Sequence, residues 1–402
     1  MPPGGRQKVI MNIIHHAFYR VCRAAITPYY YLKGFRRERY DPKSKTYLVL
    51  ANHNTNWDFF LYGLVLKKHM YFVASEHIYR LGFLSRVIRF LAGPIPRKKG
   101  SAADDTVDMI LDYLRRGENV CMMPEGNRSF SGVTCFISPR TAELAKSSGA
   151  GLVTVSIHGG YFVNPRWSRE KRHGPTRGHV EHEYTPEQLS KMSVEEIYDA
   201  ICRDLYVDAY AEQEQRRDRY TCARPAESLE SALFWCPSCG SMHDMASSGD
   251  RFFCRKCGLT VRYNEYGFLE GVSPAEPPYT TVRDWYRAEL AYLKEKLPAV
   301  TDPDEPVFFD DGHRLALVDP GKGTVPVTSG RISLYKDRLV FAGSDAPVVF
   351  PLSGISKISV ALTDTMLFTA DGAYYEVKAE HEAYSALKYV IAIRLLHGKD
   401  YC

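Results

Sequence analysis

A histidine and an aspartate five residues apart, His53 and Asp58 in Asn52-His53-Asn54-Thr55-Asn56-Trp57-Asp58, are of types that can do chemistry together. A carboxylate that accepts from one ring nitrogen fixes the tautomer, stabilises the imidazolium and leaves the other nitrogen as a base. With thirteen histidines in the chain the spacing alone also fits a histidine that caps a helix or is satisfied in a core. A second polar stretch, Met123-Pro124-Glu125-Gly126-Asn127-Arg128-Ser129, sets a carboxylate, a conformationally permissive glycine and an arginine side by side. That combination lets a loop grip a polar or phosphorylated ligand.

Both stretches end apolar runs, Tyr47 to Ala51 and Asn119 to Met122. A short apolar strand that stops abruptly in polar residues delivers them to the carboxyl edge of a sheet, where open α/β folds keep their sites. The surrounding pattern supplies such a sheet. Asp58 to Lys68 reads as a helix and Met70 to Ala74 as a strand. Ile78 to Leu91 carries Arg80, Arg86 and Arg89 at helical spacing among apolar residues, a stripe that faces either the core or a membrane. From Ala103 to Arg116, Val107, Ile110, Leu111 and Leu114 recur at helix period and Gly117 follows the last turn. Thr141 to Ser148 is a further helix and Leu152 to Ile157 a further strand. This alternation predicts an α/β fold whose mainly parallel sheet is flanked by helices. Pro165 to Gly178 is basic and reads as an exposed loop; Ser193 and Glu196 form a capping box opening a helix through about Arg217.

With Asn52-His53 and Asp58 followed some seventy residues later by Pro124-Glu125-Gly126-x-Arg128-Ser129, the chain resembles the glycerolipid acyltransferases that include the 1-acylglycerol-3-phosphate acyltransferases. Gly93-Pro94-Ile95-Pro96-Arg97 resembles the family block that places an arginine on the acceptor phosphate. Leu152 to Ile157 resembles its last apolar block without the usual proline, and Asn127 stands where the family commonly has threonine. The resemblance implies an acyltransferase domain at residues 35–218. His53 would be the general base and Asp58 its orienting partner, with Arg97, Glu125, Gly126 and Arg128 binding the acceptor. The acyl donor would be a thioester, acyl-CoA or acyl carrier protein, and the acceptor a lysophospholipid or glycerol phosphate.

A different chemistry follows at residues 231–264. Cys236-x-x-Cys239-Gly240 and Cys254-x-x-Cys257-Gly258 are two turns fourteen residues apart, the arrangement that brings four thiolates around one zinc ion and resembles a zinc ribbon. With four protein ligands the metal is structural, and His243 is surplus; a redox pair is the other use of such cysteines. Pro274 to Pro278 is a linker, and residues 279–298 form a helical connector. Beyond it, short β-rich runs (Arg314 to Val318, Ile332 to Tyr335, Leu339 to Ala342, Val348 to Leu352, Ile355 to Leu362, Met366 to Thr369, Tyr374 to Val377) precede a helix at about Glu382 to Leu396. This small β-rich domain closed by a C-terminal helix, residues 303–400, is similar in pattern to the pleckstrin-homology and GRAM group.

The 402 residues and 45% hydrophobic content suit two or three globular domains and exclude a fully disordered chain. Net charge is +5, but residues 1 to 45 hold ten Lys or Arg against Glu38 and Asp41. A basic arm on a near-neutral body predicts an anionic surface as partner. Residues 1–34 mix apolar and basic side chains without a run long enough to span a bilayer, which predicts a helix lying in a membrane interface or packed on its own domain. The ten cysteines, lacking a dense framework or a cleavable signal, fit a reduced setting. The combined expectation is a peripheral enzyme on the cytoplasmic face of a phospholipid membrane, acylating lysophosphatidate or a related acceptor. Two other classes compete: a catalytically silent membrane or partner-binding scaffold on the same fold, and a nucleic-acid binder. The second lacks basic and aromatic residues interleaved on one face outside the arm, so no nucleic acid is expected.

Overall fold

The computed structural model describes residues 5–55, 57–75, 83–97, 103–272, 276–319, 323–343, 346–380 and 384–399. The chain divides into two compact units, residues 1–163 with 173–212, and residues 164–172 with 213–402.

In the first unit the elements run α1 (Gly5–Leu32), β1 (Phe35–Arg37), β2 (Tyr47–Ala51), α2 (Asp58–Val65), β3 (Met70–Ser75), α3 (Phe83–Ala92), β4 (Ile95–Arg97), α4 (Ala103–Arg115), β5 (Asn119–Met122), α5 (Arg140–Ser147), β6 (Gly151–His158), α6 (Gly160–Val163), β7 (Thr176–Tyr184), α7 (Pro186–Lys191), α8 (Val194–Leu205) and α9 (Ala209–Arg216). The seven strands form one sheet in the order β1-β7-β6-β2-β5-β3-β4. Strands β6, β2, β5, β3 and β4 are mutually parallel, and β7 runs antiparallel to β6. Central β2 is inaccessible along its whole length because both faces are covered. Its alternate residues enter two cores, Leu48 and Leu50 with residues of α4, α5 and α8, and Tyr47, Val49 and Ala51 with residues of α2. A strand buried on both faces must be apolar throughout, so the run lacks alternation.

Expected strands and helices of this unit match closely, with three differences. The beginning of the Ile78 to Leu91 stripe, Arg80 included, lies outside the described residues. The helix after the Ser193 capping box stops at Leu205, and a second one starts at Ala209. Between them Val207 exchanges hydrogen bonds with Thr134, whose N–H donates to the Val207 carbonyl at 3.0 Å and whose hydroxyl accepts from the Val207 N–H at 2.8 Å. The basic segment after Pro165 is no exposed loop: Thr176 onward is β7, and residues 164–172 belong to the second unit, with Arg166 and Arg172 buried.

Helix α1 has two contrasting faces. One docks: Tyr19 donates to the Gly63 carbonyl at 2.8 Å, Arg23 to that of Lys67 at 2.7 Å, and Ile26 and Tyr30 pack on the core beneath α2. The opposite face exposes Ile10, Ile13, Ala17, Val21, Ala24, Pro28 and Leu32, which fall within about 50° either side of a common line at 100° per residue. Phe83 and Phe90 of α3, a helix in contact with α1, are exposed too. Among the described residues no helix is long and apolar enough to cross a membrane.

The second unit holds a four-stranded antiparallel sheet, β8 (Met245–Ser248), β9 (Arg251–Cys254), β10 (Thr260–Tyr263) and β11 (Leu269–Gly271), then α10 (Val282–Ala299). A seven-stranded antiparallel sheet follows, made of β12 (Phe308–Asp319), β13 (Gly323–Leu334), β14 (Arg338–Ala342), β15 (Val348–Pro351), β16 (Ile355–Ala361), β17 (Thr365–Ala370) and β18 (Ala373–Ala379), with α11 (Ala386–Leu396) closing it. All seven β-rich runs are strands; part of the expected linker at 274–278 and the start of the last helix lie outside the described residues. Residues 164–172 are held here by Arg166 donating to the Val360 carbonyl at 2.8 Å, by an Arg169 to Asp364 ion pair at 2.7 Å, and by Arg172 set over the rings of Trp167 and Tyr263.

Candidate active site

Because β2, β4 and β5 are parallel, the residues that follow them emerge at one edge of the sheet. His53 leaves β2, Arg97 ends β4, and Glu125 to Arg128 leave β5. His53 Nδ1 lies 2.8 Å from Asp58 Oδ2. Asp58 is buried at the first turn of α2 and accepts three further hydrogen bonds: from the N–H of Asn54 to the same oxygen at 2.8 Å, and from the N–H and hydroxyl of Thr55 to Oδ1 at 2.9 and 2.6 Å. All four contacts are donors, so the carboxylate serves here purely as an acceptor. An ionised carboxylate can only accept, so Nδ1 carries the ring proton and Nε2 presents its lone pair. Among the described residues Nε2 has no hydrogen-bond partner, and the imidazole is partly exposed.

The turn that carries His53 is fixed from three sides. Buried Asn52 donates to the Ile157 carbonyl at 3.1 Å and accepts from its N–H at 2.8 Å, extending the β2–β6 pairing by one side chain. Tyr62 donates to Asn52 from α2. Glu125 spans the gap to β5: Oε1 accepts from the His53 N–H at 2.8 Å and Oε2 from the Cys135 N–H at 2.7 Å. Gly126 has a positive φ of 68°, and a Cβ there would stand 2.7 Å from Arg97 Nη1, so the guanidinium lies directly over the loop backbone. Arg128 reaches back to the Asn54 carbonyl at 3.5 Å. The sequence-predicted residues His53, Asp58, Arg97, Glu125, Gly126 and Arg128 therefore share one neighbourhood.

From sequence, Thr55, Asn52 and Tyr62 have no role of their own, although Asn52 belongs to the motif. Thr55 was signalled by Thr55-x-x-Asp58, a spacing that lets a carboxylate accept from the N–H and hydroxyl of the residue three before it. A nearby cluster has the hydrogen-bond order of a nucleophile triad: Ser156 Oγ to His158 Nε2 at 2.7 Å, and His158 Nδ1 to Glu212 at 2.6 Å. Its electrostatics disqualify it. Burial alone would discharge His158, but hydrogen bonds and charge from Glu181 and Glu212 outweigh burial and hold its pKa up at about 9. An imidazolium takes no proton from Ser156, which is inaccessible in any case.

In the second unit, Cys236 Sγ is 3.6 Å from Cys257 Sγ and Cys239 Sγ 3.7 Å from Cys254 Sγ, with all four sulfurs within 4.8 Å of one another. Zinc–sulfur bonds of 2.3 Å in a tetrahedron set sulfurs about 3.8 Å apart, so the donor set fits that ion. Gly240 and Gly258 take positive φ of 72° and 79° and close each turn by donating to the Cys236 and Cys254 carbonyls. His243 turns to Asp310 instead.

No curated protein matches the chain. Among solved structures, the 1-acyl-sn-glycerophosphate (LPA) acyltransferase PlsC from Thermotoga maritima is similar at 19% identity with a TM-score of 0.40, over 54% of this chain and 84% of that one. Residues 35–158, the segment that supplies His53, Asp58, Arg97, Glu125, Gly126 and Arg128, match the family model described as Acyltransferase.

Proposed function

We propose that the protein transfers a fatty acyl group from a thioester, acyl-CoA or acyl carrier protein, to a hydroxyl of lysophosphatidate or a related glycerophospholipid. The observation that carries this reading is the His53–Asp58 pair, its Nε2 open, inside the segment that matches the acyltransferase family. Nε2 takes the acceptor's hydroxyl proton as oxygen attacks the thioester carbonyl. Asp58 stabilises the imidazolium, the C–S bond breaks, and the proton passes to the leaving sulfur. No acyl-enzyme is needed. Arg97, over the Gly126 backbone, and Arg128, two residues further along the same loop, are the cations for the acceptor's phosphate, with forked donors suited to it. Glu125 serves by positioning, since both its oxygens hold backbone N–H groups.

The exposed apolar face of α1, with Phe83 and Phe90, would lie in the headgroup boundary of a membrane while Arg20, Lys33, Arg36 and Arg39 meet lipid phosphates. In the second unit the four cysteines would hold one structural zinc ion, and residues 303–400 would be a pleckstrin-homology or GRAM-like module. The test is product formation from labelled acyl-CoA, and separately from labelled acyl carrier protein thioester, with lysophosphatidate, glycerol 3-phosphate and a monoacylglycerol as acceptors. Transfer to a phosphorylated acceptor, lost in His53→Ala, is expected. No transfer to any acceptor from either donor would overturn the reading in favour of a scaffold.

A further inference from the structure

A second cluster of metal-ligating side chains lies at the opposite end of the same sheet. His16 sits on α1, His69 immediately precedes β3, and Glu118 immediately precedes β5. One ligand atom from each lies within 4.8 Å of the other two. Two are already close to coordination spacing: His16 Nε2 is 3.1 Å from Glu118 Oε2, and ligands bound at 2.0–2.1 Å around a tetrahedral ion stand roughly 3.3 Å apart.

Two observations set this cluster apart from a surface ion pair. His69 is 9% exposed, and its Nδ1 is buried without a hydrogen-bond partner, its ring only 4.2 Å from that of His16. A buried polar nitrogen left unmatched is costly, and a cation bound at Nδ1 would remove that cost. The carboxylate is also braced: Asn12 donates to Glu118 Oε1 at 2.8 Å, and Tyr71 donates to the Asn12 side-chain oxygen at 3.0 Å. Oε2 is thereby left facing His16, the arrangement in which outer partners orient a ligating carboxylate.

We propose that His16, His69 and Glu118 bind a divalent first-row cation, Zn2+ by the softness of two imidazoles and one carboxylate, with a water completing the tetrahedron. The ion would staple α1 to the sheet, because one ligand comes from the helix and two from strand starts. This site is separate from the cysteine cluster and independent of the acyl-transfer reading.

The test uses the full chain, equilibrated with Zn2+ alone, desalted and assayed for metal by elemental analysis. His16→Asn, His69→Asn and Glu118→Gln should each bind one equivalent less than the unaltered protein. Cys254→Ser should lose a different equivalent, and its combination with Glu118→Gln should lose both. Zn2+ should slow hydrogen exchange across residues 10–32 in the unaltered protein and leave Glu118→Gln unchanged. His16 is half-exposed, and asparagine can still donate to Glu118, so His16→Asn keeps the test valid should His69→Asn fail to fold. Unchanged zinc content in His16→Asn and Glu118→Gln would overturn the site. Loss of an equivalent with no slowing of exchange would overturn the staple.

Discussion

Asp58→Asn is the most informative single change, because the structure shows what the amide must face. Each carboxylate oxygen accepts two donors: Oδ2 from His53 Nδ1 and the Asn54 N–H, Oδ1 from the N–H and hydroxyl of Thr55. An amide has one acceptor oxygen and one NH2, so either orientation sets NH2 against a backbone N–H, of Asn54 or of Thr55. One buried donor loses its partner, and the charge that stabilises an imidazolium is gone. Together these cost about 2–4 kcal/mol of stability, within reach of a domain whose total is roughly 5–15. Catalysis should suffer as a lost general base does, by about two to four orders of magnitude in kcat with acceptor KM little changed. His53→Ala should lose as much. Because the proposed mechanism makes the two residues one base, the double variant should be no slower than His53→Ala alone, which steady-state kinetics with lysophosphatidate would measure. A near-normal kcat for Asp58→Asn, or losses that multiply in the double variant, would refute the pairing as the catalytic device.

Arg128→Ala should raise the KM for phosphorylated acceptors and leave an acceptor without phosphate nearly unaffected, which the same kinetics would compare. Ile13→Glu with Val21→Glu, both on the outward face of α1, should weaken sedimentation with anionic liposomes while thermal unfolding stays unchanged. Cys254→Ser should release about one zinc ion per chain and loosen residues 233–262 by hydrogen exchange, with its effect on acyl transfer indirect. His158 supplies a pH signature. Its folded pKa of about 9 is raised above the ordinary histidine value near 6.5, so its contribution is full below about pH 6.5 and is lost as pH rises through 9. The stability gap between unaltered protein and His158→Gln, at most about 3 kcal/mol, should shrink across that window in denaturant titrations.

Strands β2 and β5 were legible to the residue because each is a short apolar run cut off by polar residues, and a strand buried on both faces permits nothing else. β7 was not. Its sequence, Thr176 to Tyr184, carries Arg177, His179, Glu181, His182 and Glu183, and its polar side chains find partners far away, Ser156 and His158 for Glu181, Tyr40 and the Ser44 N–H for Glu183. Arg166 and Arg172 deceived for the same reason: Arg166 donates to the Val360 carbonyl, and Arg172 lies over the rings of Trp167 and Tyr263 and donates to the Pro225 carbonyl, yet in the sequence each reads as a solvated charge. The break at 206–208 carries neither Gly nor Pro: Val207 turns to Thr134, more than seventy residues earlier, and Asp208 Oδ1 accepts from the N–H groups of Tyr210 and Ala211 at the start of α9.

Glu125 shows the same limit within the site. Its motif, Pro124-Glu125-Gly126-x-Arg128, places it among acceptor-binding residues, and the structure does bring it to His53. Its carboxylate, however, bonds to backbone rather than facing outward, with one oxygen on the His53 N–H and the other on that of Cys135. A backbone N–H is common to every residue but proline, so no sequence pattern announces it as a partner. The consequence is mechanical. With the β2 turn tied to β5 by Glu125 and to β6 by Asn52, His53 is held against both neighbouring strands, and the loop bearing Arg128 is registered to the base by the same carboxylate. On the proposed mechanism, a residue that aligns His53 with the loop bearing Arg128 would govern how well a bound hydroxyl meets Nε2, and a misplacement of about 1 Å can cost roughly a hundredfold in rate.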